Sequence, residues 1–295
     1  MKYRMYGVIP PMLTPFKKDG NLDEEGIRTL VRFLNGKVNG VFICGSYGSG
    51  PLMSVEEKKK VIDIVMEEKK ELQIVAQTGC ITTKDTIELT NYAKDAGVNA
   101  ASAVAPFYYH YGEDDVVTYY KDVIDAVGRD FPFYIYNNPK FSGYSVSINT
   151  MQKLQKIGVA GCKAASFDLM EFADLMRAFR NTDFDLALGT EALWLPASMY
   201  GAKAFIPGLG NAFPELCMEM FETSQNGEYE KCLEIQMEIN KIRDIMYLAG
   251  STQLAIYAFL ELRGIMRAYP RKPFNASTLE QKEDIRKKLK EIGVL

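Results

Sequence analysis

The stretch Val159-Ala160-Gly161-Cys162-Lys163-Ala164-Ala165-Ser166 is a short apolar run with one lysine in its middle. No acidic residue adjoins it, and the first one downstream is Asp168. Read as a strand buried on both faces, it carries Lys163 into a core or a cavity. Desolvation there disfavours the charged ammonium, and a neutral amine is a nucleophile that forms Schiff bases with carbonyl compounds. The plainer reading is a lysine at a strand end whose head reaches back to water.

Outward from this run, the chain alternates short apolar segments with longer amphipathic ones. Strand-like runs fall at residues 8–14, 40–44, 73–77, 100–105, 133–136, 159–165, 184–188 and 203–206. Helical patterns lie between them. Leu22-Asp23-Glu24-Glu25 opens one, with Ile27, Leu30, Val31 and Leu34 at helical spacing. The capping box Ser54-Val55-Glu56-Glu57 opens the next, Thr83 caps a third, and others cover 113–127, 149–157, 168–179 and 191–200. Eight β–α units in roughly 210 residues argue for a closed parallel barrel. An open doubly wound sheet would carry a Gly-rich dinucleotide turn after an early strand, and the one Gly-rich turn here has the wrong spacing. Beyond Pro207 only helices are read, at 213–224, 229–249, 253–268 and 278–292. The expected fold is α/β: a (β/α)8 TIM barrel over residues 1–210, with a C-terminal helical extension over 211–295 packed on one side, the whole forming one continuous unit.

The 295 residues hold 35 basic and 38 acidic side chains, a net charge of −3. The one basic block, Lys58-Lys59-Lys60, reads as the solvated face of a helix, so nucleic-acid binding has no electrostatic support. The five cysteines, Cys44, Cys80, Cys162, Cys217 and Cys232, make no CxxC pair and read as buried free thiols of a reducing, cytoplasmic compartment. No long apolar run follows Met1-Lys2-Tyr3-Arg4-Met5-Tyr6-Gly7, and no segment approaches about 18 unbroken apolar residues. Neither a signal peptide nor a membrane span is expected. The single histidine, His110, excludes multi-histidine metal sites and argues against a histidine-based triad.

Barrels of this type carry their chemistry at the C-terminal ends of the strands. Those ends hold Thr14, Gly45-Ser46-Tyr47-Gly48-Ser49-Gly50-Pro51, Pro106-Phe107-Tyr108-Tyr109, Tyr136-Asn137-Asn138-Pro139, Lys163, Gly189-Thr190-Glu191 and Pro207-Gly208-Leu209-Gly210-Asn211. The Gly-rich turn offers backbone N–H groups and the Ser46 hydroxyl to a small anion such as a carboxylate. Lacking a following GK[ST], it is no phosphate loop, and taken alone it is a tight strand–helix connection. Tyr136 lies on the strand beside that of Lys163. It reads either as a proton carrier for a bound carbonyl compound or as a core aromatic. Phe107-Tyr108-Tyr109 reads as packing or interface, and Glu191 as an acid favouring a helix N-terminus.

Together, G-S-x-G near residue 45, P-F-Y-Y at 106–109, Y-N-x-P at 136–139 and G-x-K at 161–163 resemble the dihydrodipicolinate synthase / N-acetylneuraminate lyase family. These are class I, pyruvate-handling Schiff-base aldolases. The resemblance runs essentially end to end, through Pro270-Arg271-Lys272-Pro273-Phe274 and the helical tail. It implies that Lys163 forms the imine and that Tyr136 shuttles protons and orients the substrate carboxylate. It implies that Ser46 binds that carboxylate together with backbone N–H groups. Tyr108 matches an aromatic that reaches into a neighbouring subunit's site in many members. Gly189 and Ile206 match pocket-wall positions, with Tyr47 and Glu191 beside them as substrate contacts. It further implies a homo-oligomer, dimer or tetramer, acting on a 2-oxo acid and an aldehyde without metal or organic cofactor.

The chain departs from the family's pattern at several places. Tyr47 stands where a second threonine hydroxyl is usual, and Ser49 where glutamate is common. Phe141 stands where dihydrodipicolinate synthases carry an arginine, with Lys140 next to it as a partial substitute. Ala165 replaces a threonine of the sialic acid lyases, and Glu191-Ala192 their Asp-Glu pair. These departures point towards 2-keto-3-deoxygluconate-type aldolases, hence a lyase for 2-keto-3-deoxy sugar acids. Alternatives are dihydrodipicolinate synthesis, N-acetylneuraminate cleavage, a 2-oxo acid dehydratase using the same imine, and a non-catalytic barrel that binds a keto acid.

Overall fold

Strands form where the apolar runs lie, and they pair in parallel around a barrel. The structure, a computed structural model, describes residues 3–295; Met1 and Lys2, which open the N-terminal stretch read above, lie outside it. The strands are β1 (Gly7–Val8), β2 (Gly40–Ile43), β3 (Gln73–Gln77), β4 (Ala100–Val104), β5 (Phe133–Asn137), β6 (Gly161–Ala164), β7 (Asp185–Leu188) and β8 (Ala204–Phe205). They form one eight-stranded sheet in the order β1-β8-β7-β6-β5-β4-β3-β2. The strand expected over 8–14 is regular only at its start, because Pro10 and Pro11 have no N–H to give a ladder. That segment still closes the barrel: Phe42 N donates to Pro10 O and Met12 N to Phe42 O, both at 2.9 Å.

Around the barrel run α1 (Glu24–Leu34), α2 (Val55–Glu68), α3 (Thr83–Asp95), α4 (Glu113–Val127), the single turn α5 (Pro139–Ser142), α6 (Ile148–Ile157), α7 (Leu169–Ala178) and α8 (Trp194–Met199). Their starts follow side-chain caps. Asp23 accepts from Gly26 N at the head of α1, and Ser54 and Glu57 form the expected capping box on α2. The cap of α3 is Thr82 rather than Thr83, since it is the Thr82 hydroxyl that accepts from Asp85 N. Glu191 does not open a helix: α8 begins at Trp194, and the Glu191 carboxylate is turned inward, 1% exposed.

Alternation along each strand splits the core in two. Outward-facing residues such as Cys162 and Ile135 pack under the helices, while Phe42, Val75, Val104, Tyr134, Tyr136, Ala187 and Ile206 fill the barrel. Its floor is polar and closed: Asp185 accepts from the Tyr134 hydroxyl and from Met5 N, both at 2.8 Å.

Lys58-Lys59-Lys60 is not a solvated face. Lys58 is 4% exposed, Lys59 is paired with Glu56 and Glu88, and only Lys60 stands well out. A one-residue step along a helix turns by about 100°, so three successive lysines cannot share a face. Nor are all the thiols buried: Cys80, beyond β3, is partly exposed.

The C-terminal helices are α9 (Pro214–Gln225), α10 (Tyr229–Met246), α11 (Thr252–Leu262) and α12 (Leu279–Glu291). α11 stops short of the expected residue 268 because Gly264 turns the chain at φ +68°. Among the described residues no single helix is long and apolar enough to cross a membrane; α10 and α11 pass that test only jointly, across a 101° bend. The extension grips the barrel through Trp194, stacked on Phe205 at 4.5 Å with its indole N–H on Ser224. Further on, Arg271 reaches Glu57 with two bonds and the carbonyls of Gly20 and Leu52.

Gly161 sits where β6 passes closest to β7. A Cβ there would lie 2.2 Å from Asp185 O and 2.7 Å from a Tyr134 ring carbon. Gly161→Ala is expected to cost about 1–3 kcal/mol by overpacking, read as a lower urea midpoint at unchanged slope. An unchanged midpoint would contradict this packing.

Candidate active site

β5 and β6 pair in a register that sets Tyr136 beside Lys163, both facing the barrel interior. Lys163 is 3% exposed. Its Nζ stands 3.9 Å from the centroid of the Tyr136 ring and 4.0 Å from that of Phe42. Two π faces therefore hold the cation where no carboxylate does. Phe42 comes from β2 and packs edge-on against Tyr136, centroids 5.7 Å apart. The Tyr136 hydroxyl lies 3.4 Å from Ser46 Oγ and accepts from Asn138 Nδ2 at 3.1 Å.

Burial pulls Lys163 below the ordinary lysine range, while the charge and hydrogen bond of Tyr136 pull it back up. Burial likewise pushes Tyr136 up. The Lys163 ammonium and the bonds from Ser46 and Asn138 outweigh it, leaving the phenol below its usual value. The two groups are poised to share one proton: neutral amine with phenol, or ammonium with phenolate. That is the equipment of a nucleophile with its own acid/base partner.

Ser46 rides on a turn shaped by close contacts. A Cβ on Gly50 would strike Cys44 O at 1.9 Å, and Cys44 and Ser49 take φ of +57° and +55°. Gly50 N donates to Gly45 O and Ser49 N to Ser46 O. Among the described residues, no backbone carbonyl accepts from Ser46 N or Tyr47 N. Those two donors and the Ser46 hydroxyl are the parts of a carboxylate cradle. From the extension, Gln253 bonds Tyr47 O and Ser49 Oγ, and the Tyr257 hydroxyl bonds Thr14 O.

Tyr47 crosses the mouth of the barrel to the loop after β8. A Cβ on Gly208 would lie 2.4 Å from its hydroxyl. Burial, and then the Glu191 carboxylate, push this phenol well above its usual range. Glu191 is fully engaged: Oε1 takes Arg243 Nη1 at 2.5 Å and Oε2 takes Gly208 N at 3.0 Å. Gly189 and Ile206 wall the same end. Gly189 lets its strand end approach Ala164 and Ala165, and Ile206 packs in the barrel interior. Tyr108 stands apart from this group, 83% exposed at φ +82° with its ring against Tyr109.

Reading the sequence strand by strand missed Phe42, Asn138 and Arg243. Phe42 looks like any core residue, and Arg243 sits mid-helix in α10, far along the chain. Asn138 filled the unspecified place of Y-N-x-P, yet a polar residue there was a readable signal. Its Oδ1 is buried without a partner, as is Thr14 Oγ1. Among the described residues no group of three or more His, Cys, Asp or Glu side chains is placed to hold a metal ion.

A model of the dihydrodipicolinate synthetase family matches residues 4–292. The N-acetylneuraminate lyase of Clostridium perfringens is 31% identical over 292 residues, covering 96% of this chain and 99% of the lyase. The 4-hydroxy-tetrahydrodipicolinate synthase of Methanopyrus kandleri is also 31% identical, over 303 residues, covering 100% and 99%. Among solved structures, a catalytic-lysine mutant of the Ruminococcus gnavus sialic acid aldolase superposes with a TM-score of 0.91 at 28% identity. The match covers 97% of this chain and 95% of that one.

Removing one partner of the Glu191–Arg243 pair leaves a buried charge uncompensated. Arg243→Met is expected to cost about 3–5 kcal/mol in chemical denaturation, and Glu191→Gln added to it should recover a substantial part. Equal losses in the single and double variants would show the pair to be uncoupled.

Proposed function

The chain belongs to the dihydrodipicolinate synthetase family, whose members are class I Schiff-base lyases and synthases, and from that premise we propose that Lys163 forms the imine with a 2-oxo acid. The observation that carries this is the buried Lys163 amine beside a Tyr136 phenol that Ser46 and Asn138 hold by its oxygen. Neutral Nζ adds to the C2 carbonyl while the cradle at Ser46 holds the adjoining carboxylate. The C2 oxygen takes one proton from Nζ and one from Tyr136 and leaves as water, and the protonated imine remains beside a Tyr136 phenolate. The Tyr136 phenolate then takes the proton from the C4 hydroxyl. The C3–C4 electrons flow into the imine and an aldehyde departs. Protonation at C3 and hydrolysis return pyruvate and free Lys163. Synthesis runs the same steps backwards.

The substrate we infer is a 2-keto-3-deoxy sugar acid. Two features support this class over N-acetylneuraminate, although a lyase of that name is among the relatives. Each Glu191 oxygen already takes one of the chain's own donors, which holds the carboxylate towards Arg243 and Gly208 rather than leaving it to the hydroxyls of a long sugar tail. Tyr47 crosses the mouth to Gly208 and fills space that a long tail would need. Asn138 Oδ1, an unpartnered buried acceptor on the amide that bonds Tyr136, suits a substrate hydroxyl next to the bond that breaks. Family members are commonly oligomeric, and in such an assembly the exposed Tyr108 is suited to complete a neighbour's site.

Pyruvate followed by borohydride should add one reduced pyruvate to Lys163, seen by mass spectrometry, and none to Lys163→Ala. No adduct, or an equal one in the variant, would sink the imine. Adduct formation needs the neutral amine, so its rate should rise with pH and level off below the free-lysine range. Tyr136 holds the proton on Lys163, so Tyr136→Phe should move that profile to lower pH. The same variant should cut turnover by about 10²–10⁴-fold through loss of the acid/base group.

Asn138→Leu removes the acceptor for the C4 hydroxyl. It is expected to lower kcat/KM for keto-deoxy acids by about 10–100-fold, the worth of one buried neutral hydrogen bond. Pyruvate lacks that hydroxyl, so its borohydride adduct should fall less, by what the lost Asn138–Tyr136 bond contributes alone. Equal losses in both assays would remove Asn138 from substrate recognition.

A further inference from the structure

A second buried lysine lies outside the active site. Lys58, on the inner face of α2, is 4% exposed. Its Nζ is 3.5 Å from Cys80 Sγ. Among the described residues that sulfur is the amine's one hydrogen-bond partner, and no carboxylate is within ion-pair distance. A buried ammonium without a carboxylate is costly, and nothing in the proposed reaction uses it. Cys80 differs from the other four thiols in being partly exposed rather than buried, which gives it the best route to a small oxidant among them. The residue is held in place: Cys80 N donates to Thr86 Oγ1 at 3.0 Å, and its Sγ–H donates to Thr78 O at 3.5 Å.

We propose that Lys58 and Cys80 form a reversible covalent bridge, sulfur–oxygen–nitrogen, when the protein meets hydrogen peroxide. The first peroxide converts the thiol to a sulfenic acid and leaves as water. The ammonium gives one proton to solvent, and the resulting amine is the second reactant. A second peroxide takes the remaining electrons. Overall one thiol, one amine and two peroxides give one S–O–NH link and three waters, with sulfur and nitrogen together losing four electrons. Excess dithiol reverses this, returning thiol, amine and water. A single inserted oxygen bridges a gap of 3.5 Å with little movement, whereas a direct sulfur–nitrogen bond would have to close far more of it.

The bridge would tie α2 to the loop after β3 at the rim of the barrel. It lies just behind the turn that carries Ser46: Cys44 Sγ, at the start of that turn, is 3.9 Å from Lys58 O. Burial pushes the Cys80 thiol up and the Lys58 ammonium draws it back part of the way; the first peroxide is attacked by the thiolate fraction that this neighbour favours.

The test is peptide mapping of the full-length protein after peroxide, with all free thiols then blocked. The expected product joins the Lys58 and Cys80 peptides, weighs their sum plus one oxygen less two hydrogens, and disappears with dithiothreitol. It should be absent from Cys80→Ser and from Lys58→Arg, the first of which exchanges sulfur for oxygen at a partly exposed site and is expected to fold. A joined pair without the extra oxygen, a Cys44–Cys80 disulfide, or Cys80 oxidised to its acids with Lys58 still free would each overturn the proposal. The readout is a mass, so it stands or falls separately from the imine at Lys163.

Discussion

The structure turns on one unfavourable act, the burial of the Lys163 amine without a carboxylate. Removing an ammonium from water costs several kcal/mol even after relaxation. The barrel offsets this with the faces of Phe42 and Tyr136 and with a phenol that can take the charge in its place. Small neighbours make room for that arrangement. Ala187 faces Lys163 across β7, and Gly161 and Gly189 let the strands and their ends close around it. The polar floor of Tyr134, Asp185 and Met5 seals the barrel below.

The treatment of acids follows from the same constraint. A carboxylate within about 4–6 Å would stabilise the ammonium and remove the nucleophile. Two carboxylates are buried in or near the barrel, Asp185 and Glu191, and each is occupied elsewhere. Asp185 takes two donors on the floor, and Glu191 is held by Arg243 and Gly208 at the mouth. Charge in the interior is thus confined to separate compartments, with the amine and phenol left to exchange a proton between themselves.

Much of this was legible in the residues. Short apolar runs placed all eight strands and helical spacing the helices between them, since strands buried on both faces show as short apolar runs. Tyr136, Lys163 and Ser46 converge as the strand-end rule implies. What escaped was whatever depends on contacts distant along the chain. Glu191 read as a helix opener because its partners, Gly208 and Arg243, lie 17 and 52 residues away. Lys58 read as solvated because a run of like charges conceals the 100° turn between successive helix residues. The first strand was overdrawn where apolar composition outweighed the two prolines that cannot pair.

The turn that carries Ser46 is held by Gln253, and the Thr14 and Leu52 carbonyls that flank it by Tyr257 and Arg271, all more than two hundred residues later. Chains leave the ribosome from the N-terminus at about 5–20 residues per second. The barrel strands and Lys163 are therefore all synthesised well before the helices that brace the carboxylate cradle. The contacts that brace the cradle can form only once the last part of the chain has been made.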